Sequence, residues 1–236
     1  MAGSMSDAPP IPPRGLAAEL ALVFAVQLAL VAGLVRLGDV LPLGGTVHAL
    51  VALVFVFLPV LVLDRRGKPY ARYGIALGRP ARDLPFALGL MALLFVPIAL
   101  GAGPFWTWAF HLRLPEWSFA WPSHYPEAAL SHLLVVALPE EIFYRGYVLG
   151  RLDDIFRGRV RLLGARVGWG LVIQAVLFAL GHYLVDLEPQ RLAVFFPALA
   201  FGWLRLRQGS VVAPVLLHAG ANIFMELLRA GYGLAA

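Results

Sequence analysis

Seven apolar stretches divide the chain, each bounded by glycine, proline or charged residues. They run from about Leu16 to Val35, Thr46 to Leu63, Leu84 to Gly101, Ala128 to Leu152, Gly168 to Leu184, Leu192 to Leu204 and Val211 to Leu228. A helix rises about 1.5 Å per residue, so roughly 20 apolar residues cross a hydrocarbon core. The pattern therefore predicts an all-α, polytopic membrane helix bundle of about seven transmembrane helices. The sixth stretch is short, which implies tilt or burial among its neighbours. Residues 1–14 (MAGSMSDAPPIPPR) are small, polar and proline-rich and predict a disordered tail. A single membrane domain over 15–236 follows. No small-residue cleavage site follows the first stretch at a suitable position, so that stretch is expected to stay in the membrane.

The polar breaks differ in charge, and the difference sets a topology. With the N-terminus in the cytoplasm, the cytoplasmic segments hold Arg14, then Arg65, Arg66, Lys68, Arg72, Arg79 and Arg82, then Arg151, Arg157, Arg159, Arg161 and Arg166, then Arg205 and Arg207. The opposite side keeps Arg36, Arg113, Arg191 and Arg229. Fourteen of the 19 Lys and Arg residues against four is a strong positive-inside bias, and it puts the C-terminus outside. The linker carrying Arg157 to Arg166 reads as a basic amphipathic segment lying on anionic lipid. The stretch from Pro104 to Pro126 holds Trp106, Trp108, Trp117 and Trp121 and reads as an interfacial aromatic belt on the outer side.

Composition agrees with this class. The 236 residues are 60% hydrophobic and 14% charged, with mean hydropathy +0.78. A soluble domain carries about 25% charged residues. The net charge of +5 belongs to the cytoplasmic loops, and no nucleic-acid motif accompanies it. Cysteine is absent, which removes disulfides, thiolate metal sites and a cysteine nucleophile.

Candidate chemistry lies where charge is most expensive. The fourth stretch carries Glu140, Glu141 and Arg145 near its middle, and each charge at a helix centre costs roughly 2.5–3.5 kcal/mol even on lenient scales. Glu141 and Arg145 stand four apart on one face, which predicts an ion pair. Glu140 lies about 100° round the axis and is left over. A purely structural ion cluster is the plain alternative. The fifth stretch brings His182, and the seventh brings His218 and Asn222 on one face. All four can converge on one cavity if the helices tilt. The other histidines, His48, His111, His124 and His132, fall at span ends or in the aromatic loop, although His132 can approach from outside.

Elimination narrows the reaction. No His-Glu-x-x-His helix and no Gly-x-Ser-x-Gly elbow is present, so glutamate remains as the activator of water. Glu140 then serves as general base, one histidine orients the water, and the other histidine with Asn222 donates to a tetrahedral oxyanion. A zinc site from His182, His218 and a glutamate ranks second, since Asn222 is a poor zinc ligand. A non-catalytic binding or immunity protein and a proton-coupled transporter remain as rivals.

At these residues the chain resembles the CAAX protease and bacteriocin-processing (CPBP, or Abi) family of intramembrane glutamic endopeptidases, which includes the Rce1-type proteases. Its three motifs stand here as Glu140-Glu141-Ile142-Phe143-Tyr144-Arg145, Phe178 to His182, and His218 to Asn222. The resemblance covers about 84–228. It implies Glu140 as catalytic base, His182 as its partner on the water, and His218 with Asn222 as the oxyanion hole, with Glu141 and Arg145 supporting. It implies no cofactor and no metal. The implied partners are the lipid bilayer and a membrane-anchored protein or peptide substrate, in a bacterial inner membrane. Family members commonly have eight spans, one more than the seven read here.

Overall fold

The computed structural model describes residues 13–119 and 125–234. Among the described residues, seven helices form an all-α bundle: α1 (Pro13–Val40), α2 (Thr46–Arg65), α3 (Pro80–Phe110), α4 (125–155), α5 (Trp169–Asp186), α6 (Phe195–Gln208) and α7 (Val212–Gly231). Of these, α1, α2, α3 and α5 are long and apolar enough to cross a membrane by length and composition. The chain is an integral membrane protein.

Helix α4 occupies the centre. It packs on α1 and α2 along one side and on α5, α6 and α7 along the other, while α3 lies outside against α7. Ten consecutive residues of α4, from Phe143 to Leu152, are buried, the mark of a helix enclosed on all sides. The core around them includes Phe55, Tyr73, Phe143, Tyr144, Tyr147 and Phe178. Gly146 and Gly150, four apart, admit close neighbours: a Cβ on Gly146 would sit 2.9 Å from Ile75 Cγ1, and one on Gly150 would strike the Tyr73 ring. Small residues at this spacing let backbones approach within a membrane bundle.

Helix α4 is not regular. Hydrogen bonding widens to the π pattern over His132–Ala137 and again over Ile142–Val148, with one α turn, Leu138–Glu141, between them. Pro139 sits in that turn. Proline lacks an N–H and its ring clashes with the carbonyl four residues earlier, so a widened turn ahead of it relieves the clash.

Three expectations need correction. The first helix begins at Pro13, so the last two residues assigned to the tail are helical, while 1–12 lie outside the described residues. Helix α3 continues to Phe110, so Trp106 and Trp108 belong to its last turns and only Trp117 lies in the loop beyond; Trp121 and His124 fall outside the described residues. The basic linker contains a β-hairpin, with β1 (Arg159–Leu162) paired antiparallel to β2 (Ala165–Gly168). Leu163 and Gly164 both have positive φ, 47° and 84°, as a tight two-residue turn demands. Ala165 and Val167 face the bundle and the arginines face out, so the alternation is that of a half-buried ribbon.

The two ends of the bundle are chemically distinct. At one end the basic segments bind each other: Arg72 pairs with Asp154 at 2.6 Å, Arg82 donates to the carbonyl of Gln208, and Arg207 donates to the carbonyl of Leu163. Glu19 of α1 joins them, held by Arg66 and Arg151 at 2.7 Å each. At the opposite end Arg36 reaches the carbonyl of Val185, and Ser118 N–H donates to the carbonyl of Gly231.

Candidate active site

The leftover carboxylate and its neighbours meet between α4, α5 and α7. Glu140, His182, His218 and Asn222 all line one cavity of about 520 Å³. Glu140 Oε2 is buried and accepts no hydrogen bond from the protein. It stands 4.0 Å from Nε2 of His182 and 4.0 Å from Nε2 of His218. That spacing exceeds hydrogen-bond reach and invites a bridging water.

Each ring is fixed from its other nitrogen. His182 Nδ1 lies 3.0 Å from the carbonyl of Phe178 one turn earlier. A carbonyl only accepts, so Nδ1 carries the proton and the Nε2 of a neutral His182 turns a lone pair towards Glu140. His218 Nδ1 lies 2.9 Å from Glu141 Oε1, which also accepts from Arg145 Nη1 at 2.8 Å. The predicted Glu141–Arg145 pair is therefore present, fully buried, and it also orients a histidine. With Nδ1 donating to a carboxylate, His218 presents an N–H at Nε2 only as an imidazolium.

Two phenylalanines hold this cluster. The Arg145 guanidinium lies over the Phe178 ring at 4.2 Å and over Phe201 at 5.1 Å. Phe201 in turn stacks on His218 with centroids 4.9 Å apart, and Phe178 touches His182 at 4.4 Å. Arg145 Nη2 and Gln174 Nε2 both donate to the carbonyl of Ala198. The Phe of the Phe-x-x-x-His motif thus carries a cation on its ring face and packs against the histidine one turn later.

Sequence reasoning missed Glu226, Gln174 and Phe201. Glu226 Oε2 lies 3.0 Å from His132 Nε2, and both line the same cavity. The signal was available: Glu226 follows His218 and Asn222 at eight and four residues on one helical face. Gln174 likewise precedes Phe178 and His182 at four and eight. Phe201 carried no polar marker. Among the described residues, no group of three or more His, Asp or Glu side chains is arranged to hold a metal ion.

Comparison with known proteins gives one match. Residues 122–224 match the family model for type II CAAX prenyl endopeptidase Rce1-like proteins. No curated protein and no solved structure matches the chain. All three motifs fall within the matched segment, so over residues 122–224 the chain is similar to the CAAX endopeptidases of the Rce1-like family.

Proposed function

We propose that this protein is an intramembrane glutamic endopeptidase that hydrolyses a peptide bond near the C-terminus of a membrane-tethered protein or peptide. The observation that carries this reading is the unpartnered Oε2 of Glu140, 4.0 Å from two imidazole Nε2 atoms inside a cavity large enough for a peptide segment. A water between Glu140 and His182 gives its proton to the Glu140 carboxylate, and its oxygen attacks the scissile carbonyl. The oxyanion accepts hydrogen bonds from the Asn222 amide and from His218 Nε2–H of the imidazolium held by Glu141. Collapse breaks the C–N bond, and protonated Glu140 returns the proton to the leaving amine. Arg145 balances Glu141 throughout, so one carboxylate is free to act as base. The N-terminus lies in the cytoplasm and the C-terminus outside, in a bacterial inner membrane.

Glu140→Gln tests the assignment because it keeps shape and removes the base. General bases contribute about 10²–10⁴-fold, so cleavage should fall by that factor at unchanged melting temperature. Mass spectrometry of membrane-protein C-termini, in cells carrying the native chain or Glu140→Gln, should reveal an untrimmed tail in the variant. Identical C-termini in the two strains would refute the reading.

A further inference from the structure

Depth along α4 does not decide from which face the site is reached. Glu140 lies 15 residues from each end of the 125–155 helix, about 22 Å at 1.5 Å per residue. Burial does decide. Towards the basic end, the ten residues from Phe143 to Leu152 are all buried. Gln174 and Leu204 are 0% exposed, and Phe201 is 4% exposed, closing the space between α4, α5 and α6. Beyond them the Glu19–Arg151 pair and the Arg151–Tyr73 hydrogen bond span the gap between α1, α4 and the 70–73 turn.

Among the described residues, the packing opens towards the other end. The cavity holding Glu140 and both histidines is rimmed by His132, Arg191, Met225, Glu226 and Arg229. Arg191 pairs with Asp186 at 2.6 Å while remaining 48% exposed, and His132 pairs with Glu226 at partial exposure. Exposed charges of this kind belong in water or among headgroups rather than in hydrocarbon. A second cavity, about 420 Å³, reaches Glu140 from between α1, α2 and α4, and its rim holds Asp39 and His48 at the same end. These two cavities at Glu140 both open away from the arginine-rich end.

We infer that the site is served from the extracytoplasmic face: its substrate is an exported, membrane-tethered polypeptide whose scissile bond enters from the outer leaflet. The bias of fourteen basic residues against four fixes which face is outer. A cytoplasmic protein tethered to the inner leaflet would meet the sealed half of α4. This inference rests on the endopeptidase reading for what is cleaved, but not for the direction of access.

The absence of cysteine from the chain supplies a clean test. Met225→Cys places a thiol on the rim at a residue 39% exposed and outside the proposed catalytic set. Arg113→Cys and Lys68→Cys mark the two ends of the bundle. A membrane-impermeant sulfonated maleimide is applied to spheroplasts and to inverted vesicles carrying the full chain. Met225→Cys and Arg113→Cys should label on spheroplasts, and Lys68→Cys only in inverted vesicles, with at least a tenfold difference in extent. Labelling of Met225→Cys only in inverted vesicles, or from neither side, overturns the inference, as does reversed labelling of the two end markers. Labelling needs no turnover, so this result is independent of the Glu140→Gln experiment: rim labelling from outside with no change in C-termini would sink the protease and leave the access route standing.

Discussion

The Glu141–Arg145 pair is the most exposed point of the energetic argument, because both side chains are 0% accessible and removal of either leaves a buried charge. Arg145→Met strips Glu141 of its 2.8 Å partner and removes the cation from between Phe178 and Phe201. Breaking one side of a buried pair costs about 3–5 kcal/mol. The two ring contacts add roughly 0.5–2 kcal/mol each. Together these come to about 4–9 kcal/mol, and a chain of this size shifts by about 2–4 °C per kcal/mol, so the apparent melting temperature in detergent should fall by roughly 8–36 °C. Glu141→Gln leaves Arg145 unpaired and should cost a similar 3–5 kcal/mol or so. The double variant Glu141→Gln/Arg145→Met removes both charges and should lie within about 1–3 kcal/mol of the native chain, because neutral replacement of a buried pair is often close to neutral.

The cycle therefore yields a coupling energy of at least about 3 kcal/mol. Additivity of the two single effects to within about 0.5 kcal/mol would refute the reasoning. Activity separates from stability in the same experiment. The double variant restores the fold but gives His218 Nδ1 no carboxylate, so cleavage should stay depressed while the melting temperature recovers. Full activity in the double variant would remove Glu141 from any part in orienting His218.

Chelators should leave cleavage unchanged, measured as product formed by purified protein in proteoliposomes before and after exhaustive treatment with a divalent-metal chelator; loss restored by added zinc would favour the metal alternative. Gly150→Val should destabilise the chain by about 1–3 kcal/mol through overpacking against Tyr73, read as a lower detergent melting temperature, and an unchanged value would show that the 70–75 turn does not pack on α4 as described.

Hydropathy alone placed these seven helices to within about five residues at every end but one, α3 running to Phe110 rather than Gly101, because an apolar run has few other ways to satisfy its backbone in a membrane. The ion pair was legible for a similar reason: residues four apart on a helix have a fixed relation whatever surrounds them. Long-range partnerships were not. Glu19 is a lone acid in the first stretch, and its partners Arg66 and Arg151 are 47 and 132 residues away, so no local pattern announces that the three meet. The β-hairpin escaped because its strands are only four residues long within a run whose arginines dominate its character.

Pro139 shows why even a correctly placed motif leaves geometry open. On a regular helix Glu140 and Glu141 diverge by about 100°, which suffices to predict that only one pairs with Arg145. The α4 helix instead widens on both sides of Leu138–Glu141, so that short turn is set between two stretches with a different residue spacing. Proline inside a helix costs about 3 kcal/mol or more, and the widened turns are how the backbone accommodates it. The result is that Glu141 points into the Arg145–His218 cluster while Glu140 faces the open cavity, with its Oε2 left without a protein partner. A carboxylate whose Oε2 is left without a protein donor in an open cavity, beside one whose Oε1 is held by both Arg145 and His218, is the arrangement a water-activating base requires.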